Sequence, residues 1–115
     1  MSNPRRDELY LGDIVEAMER IAAYLAGLSY EQFLDNIQVQ DAVLRNLQVV
    51  GDASKKVSLA VRKAHPELPW RQMSGMRDKV VHEYFGLDYR IVWQVATVDL
   101  PRLLPTIRGI VEQTS

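Results

Sequence analysis

An apolar period of three and four residues constrains this chain more than any other feature. Leu11, Ile14, Met18, Ile21 and Leu25 recur at alternating steps of three and four, which places them on one stripe of an α-helix. The expected first helix runs from about Arg5 to Ala26, and Gly27 ends it. "SYEQ" then reads as a capping box, with the Ser29 hydroxyl and the Gln32 amide set to satisfy exposed backbone N–H groups, so a short turn of helix from Tyr30 to Leu34 should follow. The period returns from Ile37 through Val43, Leu47, Val50, Ser54, Val57 and Val61. One long helix is therefore expected up to "AHPELPW", where Pro66 and Pro69 cannot continue the backbone ladder. Gly51 and Ala53 keep one flank of it thin enough for another helix to come close.

Pro69 suits the first position of a third helix, with Trp70 beside it. That helix should run to about Phe85, where Gly86 stops it. Asp88 is placed to cap a fourth helix, with Ile91, Val92, Val95 and Val98 facing inward and Pro101 and Pro105 kinking or dividing the last segment. The one alternating stretch, "NIQVQ", is too short for a strand signal and flows into helical spacing. The expectation is an all-α fold, an up-down bundle of four main helices plus a short helix, with residues 1–115 forming one domain.

Composition narrows the function classes. The chain has 115 residues, 47% of them hydrophobic and 25% charged, the balance of a globular protein rather than a disordered one. No apolar run approaches the roughly 18 residues that a bilayer span needs. The N-terminus "MSNPRRDELYLGD" has acids straight after its arginines and no apolar core, unlike a signal peptide. With no cysteine, neither disulfides nor thiolate metal sites are available, and a cytoplasmic location is expected. The net charge of −1 does not describe a general nucleic-acid binder, but it is unevenly spread. Residues 1–51 carry four arginines against eight acids, residues 52–79 seven cations against three acids, and residues 80–115 three against four. The basic middle leads into "RDKVVHEYF", which holds Arg77, His82 and Tyr84. Such asymmetry fits an anionic partner.

Arg77 and Tyr84 are seven positions apart, hence on one helix face, whereas His82 points about 140° away from Arg77 on an ideal helix. A lone straight helix does not bring these groups together. They meet only if Arg77 wraps round, if the helix end distorts, or if a second chain related by a two-fold axis supplies part of the site. The chemistry open to such a pair is specific. Histidine transfers protons both ways near neutral pH, and arginine is a permanently charged fork matched to phosphate. Together they suffice for metal-independent RNA cleavage through attack of a ribose 2′-OH on the neighbouring phosphate. Spacing alone does not select this chemistry, because R-x4-H is common and a histidine near a helix end is usually a surface group.

A family resemblance across the wider sequence favours it. "RDKVVHEY" resembles the R-x4-H-x-Y signature of the HepT toxins, a branch of the HEPN (higher eukaryotes and prokaryotes nucleotide-binding) superfamily. "VLRNLQVVGDASKKV" is similar to that family's second-helix pattern, and "PWRQMSGMRDKVVHEYFGLD" followed by "IVWQVATVDLPRLL" resembles its third and fourth helices, so the likeness spans roughly residues 5–113. The resemblance implies a toxin of a toxin–antitoxin system: a homodimeric, metal-free endoribonuclease that cuts single-stranded RNA in a cleft between protomers. By position, Arg77 and His82 are the catalytic pair. Tyr84 is the residue that a cognate minimal nucleotidyltransferase antitoxin (MntA-like) modifies with AMP, which would set bulk and negative charge beside the Arg77 face. One departure is that Asp52 stands where the family usually has glutamate. The alternative is a non-catalytic subunit that docks a nucleotidyltransferase or holds a nucleotide. The intact Arg, His and Tyr favour the enzyme.

Asp52 and Asp78 are candidates for orienting Arg77 or His82. Lys55 and Lys79 are candidates for RNA contact, and Lys56, Arg62 and Lys63 could extend a phosphate track, although a solvated face explains them equally well. His65, in "KAHPE", reads as a helix-end cap. Trp70 and Trp93 read as core rather than base-stacking residues. Tyr89 is either a polar neighbour of the cleft or packs behind it. No metal-ligand spacing is recognisable around His65 and His82, and no cofactor is expected.

Overall fold

The computed structural model describes residues 4–114, and all of their side chains except those of Pro4, Arg5, Phe85 and Thr114. Residues 1–3 and Ser115, which the single-domain and N-terminal readings include, lie outside the described residues. Helix α1 spans Pro4–Leu25, α2 Tyr30–Leu34, α3 Ile37–Lys56, α4 Leu59–Ala64 and α5 Trp70–Glu83. A 3-10 turn, Tyr84–Gly86, follows α5. Then α6 (Tyr89–Gln94), a π turn (Val95–Asp99) and α7 (Leu100–Thr114) run on as one rod. No strand occurs among the described residues, and the fold is all-α.

The three/four stripe of α1 is the core: Leu11, Ile14, Met18, Ile21 and Leu25 are all buried. They meet Val43, Leu47, Val50 and Val57 from α3 and its end, and Leu100, Ile107 and Ile110 from the rod. In space α3 lies between α1 and α5, and α1 between α3 and α7. Local caps set the element starts where the sequence placed them. Ser29 Oγ accepts from Gln32 N at 3.1 Å and Gln32 Oε1 accepts from Ser29 N at 2.9 Å, completing the capping box. Asp88 caps α6 by accepting from Arg90 N.

Three expectations are corrected. The long second helix does not reach Ala64: it ends at Lys56, and Ser58 caps a separate α4. The cause is Asp7 of α1, only 3% exposed, whose two carboxylate oxygens accept from Ser58 N and Ser58 Oγ, each at 2.8 Å. With its N–H given to Asp7, Ser58 cannot continue the ladder, and its hydroxyl instead accepts from Val61 N. The third helix stops at Glu83, two residues early, because Glu83 leaves helical geometry (φ −117, ψ 17) before the 3-10 turn. Finally, Ile91 does not pack inward but is 51% exposed. The inward line is Val92, Ala96 and Leu100, held at four-residue spacing by the extra residue of the π turn, in which Leu100 N–H bonds to Val95 O. That turn also absorbs the prolines: Pro101 falls in the first turn of α7, and the rod stays continuous through Pro105.

Candidate anion site on the edge of helices α3 and α5

Helix α5 meets α3 at Gly51. A Cβ built on Gly51 would lie 2.4 Å from Arg77 N and 2.7 Å from Arg77 Cβ, so only glycine permits this approach. Gly51, one of the two small residues that predict a thin flank, is thus the place where the Arg77 backbone is set down. From there the guanidinium reaches two carboxylates. Nε lies 3.5 Å from Asp52 Oδ1, and Nη1 donates to Asp78 Oδ1 at 3.2 Å. Asp78 Oδ2 in turn accepts from Lys55 Nζ at 2.8 Å. The hydrogen bonds from Lys55 and then from Arg77 hold the Asp78 carboxyl below its ordinary value. Arg77 remains 41% exposed in this frame: its fork is oriented by protein but open to a ligand.

His82 lies on the same unbroken helix, five positions after Arg77, and is exposed. Its side chain makes no hydrogen bond or ion pair among the described residues. Because the break in helical geometry comes at Glu83, after His82, distortion of the helix end does not turn His82 toward Arg77, and the guanidinium is already directed at Asp52. Within one chain the pair points to different sides. Tyr84, in the 3-10 turn, reaches the other end of α3, where its hydroxyl donates to Asp41 Oδ1 at 3.0 Å. This bond, followed by the nearby Asp41 charge, raises the Tyr84 pKa above its ordinary value. Asp41 and Asp52 are eleven residues apart, hence on one face of α3 but separated by about 16 Å along its axis. Arg77 and Tyr84 therefore share the α3 edge without being neighbours on it.

The remaining candidates sort cleanly. Asp52, Asp78 and Lys55 join Arg77 in one network. Lys79 does not: it is exposed and lines a groove of about 660 Å³ between α5 and the α6–α7 rod, floored by Met73, Met76, Val95 and Leu100. Lys56 Nζ sits over the Tyr10 ring, 5.7 Å from its centroid. His65 ends α4, and its carbonyl accepts from Trp70 Nε1 at 2.8 Å. Trp70 is buried, and Trp93 packs on Phe33 and Tyr30 with centroids 5.4 and 5.8 Å apart. Tyr89 stands edge-on to Phe33. Among the described residues no three His, Asp or Glu side chains come together as a metal site, and no helix is long and apolar enough to cross a membrane. The residue that sequence reasoning missed is Asp41. Its only signal was its register with Asp52, since its partner lies 43 positions away.

An all-helical bundle whose α5 carries an oriented arginine and an exposed histidine, followed by a tethered tyrosine, defines a class of helical protein with a candidate anion site on one edge. Comparison with known families identifies it further. The family model described as "Ribonuclease HepT-like" matches residues 14–110, and the chain belongs to that family. A protein of Thermococcus cleftensis named "Probable ribonuclease HepT" is 44% identical over 94 residues, covering 82% of this chain and 86% of its own. One from Methanocaldococcus jannaschii, named "Putative RNase MJ1216", is 37% identical over 110 residues, covering 95% and 91%. Another from Caldanaerobacter subterraneus, "Putative RNase TTE0752", is 34% identical over 113 residues and covers 98% of both chains. No solved structure matches the chain at a significant level.

Proposed function

We propose that this protein is an endoribonuclease of the HepT kind, the toxin of a toxin–antitoxin pair, acting on single-stranded RNA without a metal ion. One observation carries the reading. In a chain of this family, Arg77 is set down by the Gly51 contact and oriented by Asp52 and Asp78, while His82 stands exposed on the same helix. In the reaction, His82 removes the proton from a ribose 2′-OH, and that oxygen attacks the adjacent phosphorus. The bond to the 5′-oxygen breaks and that oxygen takes a proton from water, leaving a 2′,3′-cyclic phosphate and a 5′-hydroxyl, while the imidazolium returns its proton to solvent. Arg77 stabilises the charge that builds on the phosphate oxygens.

Because Arg77 and His82 diverge within one protomer, the reading places a second copy across α5, with the two Arg/His pairs facing one cleft. The open apolar groove flanking α5, with the exposed Ile91 on its rim, supports a partner on this side. Silencing follows from Tyr84. Its phenolic oxygen attacks the α-phosphorus of ATP on a cognate minimal nucleotidyltransferase, pyrophosphate leaves, and the phenolic proton passes to a base. The relatives' names support the nuclease step, and the exposed, oriented hydroxyl of Tyr84 supports the modification.

The test is cleavage of single-stranded RNA in EDTA by protein whose intact mass shows Tyr84 bare. Wild type should leave cyclic phosphate ends, and Arg77→Ala and His82→Ala should each abolish cutting. No cleavage of varied RNAs by bare, dimeric wild type would overturn the enzyme reading.

A further inference from the structure

The Tyr84–Asp41 contact joins two parts of the molecule that are far apart in sequence: the 3-10 turn after α5 and the N-terminal part of α3. We propose that Asp41 is a positioning residue for Tyr84, holding the bare phenol and the Tyr84–Gly86 turn against α3, and that a phosphodiester on the phenolic oxygen releases both. This deepens the regulatory half of the proposed function and rests on its choice of Tyr84 as the modified residue.

The argument is one of donors and charges. Tyr84 gives its one O–H to Asp41, and a phenol has no second proton to donate. Once the oxygen is esterified to phosphorus, that donor is gone and about one negative charge stands next to a carboxylate. A contact that held becomes a contact that repels. Arg77 does not share this contact, because its anchor on α3, Asp52, is about 16 Å further along the helix. The turn is three residues long, and beyond it Leu87 is extended and packs, half-buried, on the core. His82, two residues before Tyr84, shares the end of α5. Modification would then act on the catalytic helix by loosening its C-terminal anchor, in addition to covering the RNA path.

Hydrogen–deuterium exchange on the full-length protein tests this. Amides from 84 to 88 should exchange about fivefold faster in Tyr84→Phe and in Asp41→Ala, the factor that one net hydrogen bond corresponds to. Asp41→Asn keeps an acceptor oxygen and should restore slow exchange. The double variant Tyr84→Phe/Asp41→Ala should be no faster than either single one, since both remove the same bond. Wild-type exchange in Tyr84→Phe, or additive effects in the double variant, would overturn the proposal. Failure of the nuclease reading shows separately, as absence of RNA cleavage by wild type, and leaves this exchange comparison standing. Wild type that carries no AMP on Tyr84 after incubation with its nucleotidyltransferase and ATP would overturn the modification reading and the release step with it.

Discussion

Gly51→Ala is the sharpest perturbation available in this fold. The new methyl carbon would sit 2.4 Å from Arg77 N, 2.7 Å from its Cβ and 3.0 Å from its Cα. Two of those three atoms are backbone, so no rotamer change relieves the contact, and α5 must move off α3 by roughly 1 Å to regain ordinary separation. Overpacking of this kind costs about 1–3 kcal/mol. Replacing a mid-helix glycine returns up to about 1 kcal/mol of helix propensity. A 2.4 Å approach to backbone belongs in the upper part of the overpacking range, so the net expectation is a loss of roughly 1–2 kcal/mol, or several degrees in Tm for a domain of this size.

Gly109→Ala is the control, because nothing lies within 4 Å of its added Cβ, and it should gain up to about 1 kcal/mol from propensity alone. Urea unfolding followed by helical circular dichroism, at one fixed protein concentration, reads both. The midpoint should fall for Gly51→Ala and rise for Gly109→Ala, with slopes unchanged. RNA cleavage should fall further than stability does, since displacing a catalytic group by about 1 Å can cost 10²-fold. A Gly51→Ala protein as stable as wild type would refute the claim that this contact sets the α3–α5 distance.

Three further outcomes follow from other contacts in the fold. Asp7→Ala strips Ser58 N–H and its hydroxyl of their buried acceptor, so stability should fall by about 2–3 kcal/mol in urea unfolding, the cost of losing hydrogen bonds to a charged group; a fall below about 0.5 kcal/mol would mean that Asp7 does not hold the α3–α4 break. Tyr84 has its pKa raised by the Asp41 hydrogen bond, so its stabilising contribution is fully present below the unfolded value of 10.0 and is lost as pH rises through the folded one. Phenolate absorbance should show one tyrosine titrating late in wild type and earlier in Asp41→Asn. The Asp78 contribution runs the other way: its pKa is lowered, so that contribution is present above 3.8 and lost as pH falls.

Much of this protein is legible residue by residue because its signals are short-range. The capping box of Ser29 and Gln32, the Asp88 cap, the stop at Gly27 and the apolar stripe of α1 each depend on groups within one or two helical turns. Those groups are fixed by sequence spacing whatever the rest of the chain does. The same holds for the narrow flank at Gly51, where a missing Cβ is visible in the letters themselves. The resemblance of "RDKVVHEY" to a family motif likewise depends on residue order alone.

Other features are decided only by the fold. The periodic run from Ile37 to Val61 reads as one helix, and it breaks at Ser58 because a buried carboxylate 51 positions away outcompetes the helical carbonyl for its N–H. Ile91 fits an apolar stripe, yet the π turn rotates the rod and leaves it on the rim of the groove. Asp41 has no local distinction at all, and becomes the partner of Tyr84 only when α5 lies along α3. Caps and stripes are contests within a single segment. Breaks, tethers and the orientation of Arg77 are contests between segments, and chain packing settles them.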